Sequence, residues 1–189
     1  MQEQSGPAVA RESKDLARLH EALAQPATVL RGGSALMGEL AVVVLGAKGA
    51  GTTTLTEALA AEGFASASDG DLELHGDGSL WHRNDPVSAG RHVFILETWF
   101  APEASSPMTL CSPGLGALAI AAAVHRASGG LWKGLPAIAA LASQAVVASG
   151  PRLGAGQTAR DLAVLADGRL DQAALDRFRS SAVGDRADP

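Results

Sequence analysis

The segment from Leu40 to Thr54 constrains this chain more than any other. Leu40-Ala41-Val42-Val43-Val44-Leu45 is an unbroken apolar run rich in β-branched side chains. A strand with one wetted face alternates apolar and polar residues, so a continuous run predicts a strand covered on both faces, as in a parallel sheet. Gly46-Ala47-Lys48-Gly49-Ala50-Gly51 interrupts the run, and Thr52 to Ala61 resumes at helical spacing with Leu55 and Leu59 on one face. Strand, glycine-rich turn and helix in this order open an α/β sheet.

The rest of the chain repeats the alternation. Val93-Phe94-Ile95-Leu96, inside Arg91 to Thr98, predicts a second buried strand, Met108 to Cys111 a third and Ala145 to Ala148 a fourth. Helices are expected over Leu115–Ala127, after Pro113 and Gly114, and over Leu135–Leu141, Gln157–Ala166 and Asp171–Ser180. Between Gly63 and Gly90 the sequence is polar, and Leu72, Leu74, Leu80 and Trp81 flank a Gly76-Asp77-Gly78 turn that predicts a hairpin. The expected architecture is α/β: a single mostly parallel sheet with helices on both faces, spanning residues 35–183. Residues 1–34 read as a tail (Met1–Ala10), a short helix with Leu16, Leu19, His20 and Leu23 at helical spacing, ended by Pro26, an edge strand at Thr28–Leu30 and a flexible Arg31-Gly32-Gly33-Ser34 linker. Residues 184–189 read as a frayed end.

Composition narrows the function classes. The chain has 189 residues, enough for one core, and 15 Lys plus Arg against 20 Asp plus Glu give a net charge of −5, which denies it a broad basic face for a nucleic-acid backbone. Hydrophobic residues at 47% and charged residues at 19% place it among globular chains. Cys111 is the only cysteine, so an internal disulfide and a cysteine-based zinc site are excluded. The polar Met1 to Pro7 lacks the basic and apolar stretches of a secretory signal, and the Ala-rich runs fall short of the ~20 residues that span a bilayer. A cytoplasmic protein without a membrane span is expected.

The glycine turn carries the chemistry. Gly46-Ala47-Lys48-Gly49-Ala50-Gly51-Thr52-Thr53 has the spacing of the phosphate-binding loop G-x-x-x-x-G-K-[ST], with Thr52 where the lysine belongs. Such a loop folds its backbone N–H groups into a concave nest and aims a helix N-terminus at phosphates, and its glycines supply positive φ and close approach. Residues 46 to 54, ending Thr52-Thr53-Thr54, are therefore the candidate nucleotide-binding residues. Thr53 stands at the magnesium-binding hydroxyl position, and Lys48 is the one lysine near enough to reach phosphates.

In these residues the chain resembles the deviant phosphate-loop ATPases that position plasmids, chromosomes and division sites, whose loop reads K-G-G-x-G-K-[ST]. In the register set by Gly51 the signature lysine falls on Ala47, and here the lysine comes one place later, at Lys48. The resemblance covers roughly Leu40 to Asp167. It implies a fold like that of P-loop NTPases, with Glu97, at the end of Val93–Leu96, in place of the family's magnesium-associated aspartate. Thr109–Ser112 before Pro113 is similar to the family's next strand, and Ala145–Ser149 with Gly150-Pro151 to the strand and loop near the adenine. It further implies ATP or a related nucleotide with Mg²⁺ as ligands, Lys48 and Glu97 as the catalytic pair, Thr53 and Glu97 at the metal, and a nucleotide-linked homodimer. The missing lysine removes the cation that neutralises the β and γ oxygens, a loss of several kcal/mol of barrier lowering. The expected function is nucleotide binding with weak or no hydrolysis, as a partition- or mobile-element-associated switch or scaffold.

A dinucleotide-binding oxidoreductase is the alternative, since Gly46-x-x-Gly49-x-Gly51 resembles the looser glycine fingerprints of that fold and Asp69 and Asp71 follow about 20 residues on, where a ribose-binding acid belongs. The chain has no Tyr to donate a proton. His75, His82 and Asp85 lack the spacing of a specific metal site. Arg152 and Arg160 read as surface charges, His125 as a helix packing residue, and Trp81, Trp99 and Trp132 as core fillers among Ala-rich helices.

Overall fold

A computed structural model of the chain describes residues 26–101, 108–127, 131–152 and 154–167. The helix read over residues 12–25, the helix read over 171–180 and both chain ends lie outside the described residues.

The run that anchored the sequence reading is strand β2 (Leu40–Leu45), buried at every position. It follows β1 (Pro26–Met37) in a tight antiparallel hairpin and precedes helix α1 (Thr52–Ala61). Then come β3 (Ala65–His75), β4 (Leu80–His82), β5 (Asp85–Pro86), β6 (His92–Phe100) and β7 (Thr109–Leu110). The chain continues through α2 (Pro113–Ala122), β8 (Val124–Ala127), α3 (Leu131–Gln144), β9 (Val146–Arg152) and α4 (Ala155–Asp167). The strands form one sheet in the order β5-β4-β3-β1-β2-β6-β9-β7, with β8 also paired to β1.

This is an α/β fold with a mixed sheet, which corrects the expectation of a mostly parallel one. Only β2–β6 and β6–β9 pair in parallel; β1–β2, β1–β3, β1–β8, β3–β4, β4–β5 and β7–β9 are antiparallel. The parallel centre is covered on both faces, because alternate side chains feed two separate cores. Ala41, Val43, Leu45, Val93, Ile95 and Val147 point to the face where Ile120 of α2 and Ile138 and Leu141 of α3 pack. Leu40, Val42, Val44, Phe94, Leu96 and Ala148 meet Leu55 and Leu59 of α1 and Leu162 and Leu165 of α4 on the other.

Three local expectations change. Arg31 to Ser34 is no linker: β1 runs unbroken through it, between β3 on one side and β2 and β8 on the other. Its glycines permit that close packing, since a Cβ on Gly32 would lie 2.3 Å from the Val44 carbonyl oxygen and one on Gly33 2.6 Å from Thr56 Cγ2. The helix read to Ala127 stops at Ala122, and the chain turns at Ala123 into β8. Trp132 and Trp99 are 84% and 45% exposed and fill no core. The hairpin about Gly76–Gly78 is present as β3–β4, where Leu74 faces Leu80.

Candidate functional site

The loop leaves the C-terminal end of β2, the edge at which open α/β sheets hold ligands. Gly49 has φ 88° and Gly51 φ 79°, left-handed conformations that glycine adopts at low cost. Ala50 N–H donates back to the Ala47 carbonyl (3.0 Å), closing a tight turn, and Leu55 N–H donates to Gly51 (3.1 Å), starting α1 with Gly51 as its N-cap. The first-turn amides of a helix have no intrahelical acceptors and carry the positive end of its dipole. Ala47, Lys48 and Gly49 are exposed, as are Thr53 and Thr54 at the start of α1, while Gly46 and Ala50 are buried. The residues predicted to cradle phosphate thus form one continuous turn, accessible on its outer side.

Arg152 supports the inner side, contrary to its reading as a surface charge. It ends β9 and is only 5% exposed, and its Nη2 donates to the carbonyl oxygens of Ala50 (3.3 Å) and Gly51 (3.0 Å). A Cβ on Gly51 would lie 2.2 Å from that nitrogen. Burial pulls the guanidinium's pKa down, but arginine keeps its charge in proteins, so a cation underlies the loop where its carbonyls point. Because it takes up carbonyl oxygens, the clamp leaves the donor side of the turn to other partners.

The two residues predicted at the metal have different hydrogen-bond partners. Thr53 Oγ1 donates to Asp69 Oδ2, from β3, while Glu97 Oε2 accepts from Ser149 Oγ at 2.5 Å across the parallel β6–β9 pair. Thr56, one turn beyond Thr53, donates to the Thr52 and Thr53 carbonyls and ties down the start of α1. Asp69 reaches the loop because β3 lies beyond β1 and its residue 69 is level with Gly33, one pair from the end of β2. Thr53 hydroxyl and Asp69 carboxylate are hard oxygen donors of the kind magnesium accepts alongside phosphate oxygens. No group of three or more His, Cys, Asp or Glu able to hold a metal occurs among the described residues.

Lys48 faces the other side of the loop. With Gly46 and Ala47 it borders a cavity of about 200 Å³ whose remaining walls are Arg31, Ala122, Ala123, Val124 and His125. His125 belongs to β8, not to a helix, and its Nδ1 accepts from Arg31 Nη2 at 2.9 Å.

The other residues singled out in the sequence are engaged elsewhere. His82 Nδ1 lies 3.2 Å from Ser68 Oγ, and His75 stacks on Trp81 with ring centroids 5.4 Å apart. Arg160 is exposed, as read, and donates to Gln157 on α4. Burial and the charge of Glu97 raise the Cys111 thiol pKa. Sequence reasoning missed Arg31, Arg152, Ser149 and the service of Asp69 to Thr53. One signal was available for Arg152: it comes four residues after the predicted buried strand Ala145–Ala148, near the edge where such a sheet faces a ligand.

Two strand-level expectations also change here. β7, read as similar to the family's next strand, pairs antiparallel with β9, against the expectation of a mostly parallel sheet. Gly150 and Pro151 belong to β9 itself, with Thr98 Oγ1 donating to the Gly150 carbonyl (2.8 Å).

Taken together, the fold and site are those of an α/β protein with a glycine turn and helix N-terminus at the end of a parallel strand. The chain matches no protein-family model, and searches of curated proteins and of solved structures likewise find no match. Among the described residues no helix is long and apolar enough to cross a membrane.

Proposed function

We propose that the protein binds the phosphates of a nucleotide of the ATP class at residues 46–54 and hydrolyses it weakly or not at all. The observation that carries this reading is the conformation of the turn: two left-handed glycines at the end of a buried parallel strand lead straight into α1, with the Arg152 guanidinium against the carbonyl side. That geometry presents N–H groups and a helix dipole to an anion. Thr53 would hold magnesium together with the nucleotide's own oxygens, with Asp69 as the carboxylate in contact with it; Glu97, bonded to Ser149 and level with Leu45 at the end of β2, is a second acid at the same sheet edge. Magnesium would supply charge neutralisation at the phosphates.

Weak turnover follows from charge. Thr52 carries no cation to the β and γ oxygens, Arg152 is spent on carbonyl oxygens, and Lys48 is the remaining loop cation. In phosphoryl transfer most of the catalysis is positioning and neutralisation, so the loop favours retention of the nucleotide over its cleavage. A nucleotide-held switch or scaffold, as a homodimer, is the corresponding role. The dinucleotide reading is weaker, because of the two acids read for a ribose, Asp69 and Asp71, the first is engaged by Thr53.

Equilibrium titrations with ATP, ADP and NAD, each with and without magnesium, test the proposal. Metal-dependent ATP binding is expected; binding of NAD alone, or of none of the three, would overturn it. If Lys48 supplies the missing charge, Lys48→Ala abolishes residual hydrolysis and Thr52→Lys raises it, and unchanged turnover in Lys48→Ala removes Lys48 from the reaction.

A further inference from the structure

The cavity beside the loop exists because β1 changes partners. Gly32 is the last β1 residue paired with β2, opposite Leu45, and Leu30 is paired with Val124 of β8. Arg31 stands at the seam, its N–H donating to the Ala123 carbonyl at 2.8 Å. Where the loop turns out of the sheet, β8 takes up the vacated place beside β1, and the space between them is the cavity of about 200 Å³.

Its lining is chemically one-sided. The ionisable residues that border it are Arg31, Lys48 and His125, the other five are Gly, Ala and Val, and none is acidic. Arginine and lysine can only donate. Since Arg31 donates to Nδ1 of His125, that ring nitrogen is the acceptor and the ring proton sits on Nε2, a further donor. Such a set recognises an acceptor-only group of negative charge. Size narrows it further: drug-sized ligands occupy roughly 300–1,000 Å³, so this space suits a compact oxyanion and not a second nucleotide.

We infer that the Arg31–His125–Lys48 cavity is a second anion subsite beside the glycine loop, taking a phosphate-sized oxyanion, either free or as the head group of a small second ligand. Its partnership with a bound nucleotide rests on the proposed function, but its own anion affinity does not. The carbonyl of Ala123 holds the Arg31 backbone, and the His125 ring holds the guanidinium at Nη2. An arginine so oriented meets a phosphate with its planar fork of donors at little further ordering cost.

Calorimetric titration of the full chain with inorganic phosphate and with glycerol phosphate, in the absence and presence of saturating ATP and magnesium, tests the assignment. Saturable binding is expected for at least one of the two anions, undiminished by ATP. Arg31→Gln should weaken it at least about tenfold, His125→Ala by a smaller factor, and Arg31→Lys should restore part of the loss. A tighter fit for the ester identifies a second-ligand head group, and equal affinity identifies the free ion; both uphold the subsite. If ATP proves silent while phosphate binds in an Arg31-dependent manner, the subsite stands and the nucleotide reading falls. If ATP binds but neither anion does, or if the bound anion competes with ATP or keeps its affinity within about twofold in both Arg31→Gln and His125→Ala, the subsite is overturned and the nucleotide reading is untouched. Thermal melts of each variant identify any that has failed to fold, and Lys48→Ala, at an exposed position and titrated with the loop filled by saturating ATP and magnesium, then provides the same readout: phosphate affinity lowered supports the subsite, and affinity unchanged opposes it.

Discussion

The two halves of the sheet are held by different means. β2, β6 and β9 form a parallel centre in which Leu40–Leu45, Val93–Leu96 and Val146–Ala148 are apolar and pack against helices on one face or the other. β1 and β3 form an antiparallel flank that carries Gly32, Gly33, Ser34, Ser68, Asp69 and Asp71 in the middle of its strands. The centre is stabilised by buried apolar area throughout, whereas the flank buries Leu30, Leu72 and Leu74 and depends in the middle of its strands on backbone pairing and on small residues that let elements approach. The candidate site lies where they meet: the turn and Arg152 come from the centre, and Arg31 and Asp69 from the flank.

The largest expected effect tests the centre. Phe94 is fully buried among Val42, Val44 and Leu55, and Phe94→Ala should cost about 4 kcal/mol by leaving a cavity, measured by urea denaturation. The matching change in the flank adds an atom. A methyl on Gly32 would lie 2.3 Å from the Val44 carbonyl oxygen, a backbone atom that cannot swing away, so Gly32→Ala should cost about 3 kcal/mol. Gly38, in the β1–β2 turn, has open space about it and pays only for its φ of 55°, so Gly38→Ala should cost about 1 kcal/mol. Equal costs for the two glycine variants would show that β1 is not packed as closely as described.

The same contrast explains what could be read in advance. β2, β6, β9, α1, α3 and α4 were legible because burial on both faces, or on one helical face, writes itself as apolar periodicity. β1 was misread because the Gly-Gly-Ser in its centre is the signature of a linker, and nothing local distinguishes a glycine needed for close approach from one that gives flexibility. The parallel count was overestimated for a related reason: β7 pairs through two residues and β8 through a short stretch, and pairing direction is decided by the chain's return path, not by composition. Of the site, the glycine turn was visible as a local motif. Asp69 was placed beside the loop only as a ribose-binding acid in the dinucleotide reading, and Arg31 and Arg152 were not assigned to the site, because only the sheet order brings these three residues to one edge.

The clamp that joins centre to loop gives the next effect. Arg152→Met retains most of the buried volume and removes the donor to two carbonyl oxygens, so stability should fall by about 2 kcal/mol, the range of hydrogen bonds to a charged group. If the conformation of the turn is what binds phosphate, ATP affinity should fall in the same variant. Loss of stability with unchanged ATP affinity would reduce Arg152 to a packing role and separate the loop's binding from its support.

The smallest expected effect lies in the flank and depends on pH. Burial lowers the His82 pKa, the Arg83 charge lowers it further, and Asp85 and Glu73 act in the opposite direction. Ser68 Oγ is its hydrogen-bond neighbour, and Asp85 is its cross-strand partner in the β4–β5 ribbon. With the folded value below the unfolded one, the unfolded chain binds more protons between them, so stability rises with pH across that window. The contribution is complete above the ordinary histidine value, near 6.5, and is lost as pH falls below it toward the folded value. Melting temperatures of the wild type and of His82→Asn should therefore converge or cross as pH is lowered from about 7.5 to about 5, the wild type losing more. Parallel curves would mean that the ring titrates in the folded flank as it does in water, and that the antiparallel half closes over His82 less tightly than the parallel half closes over its own core.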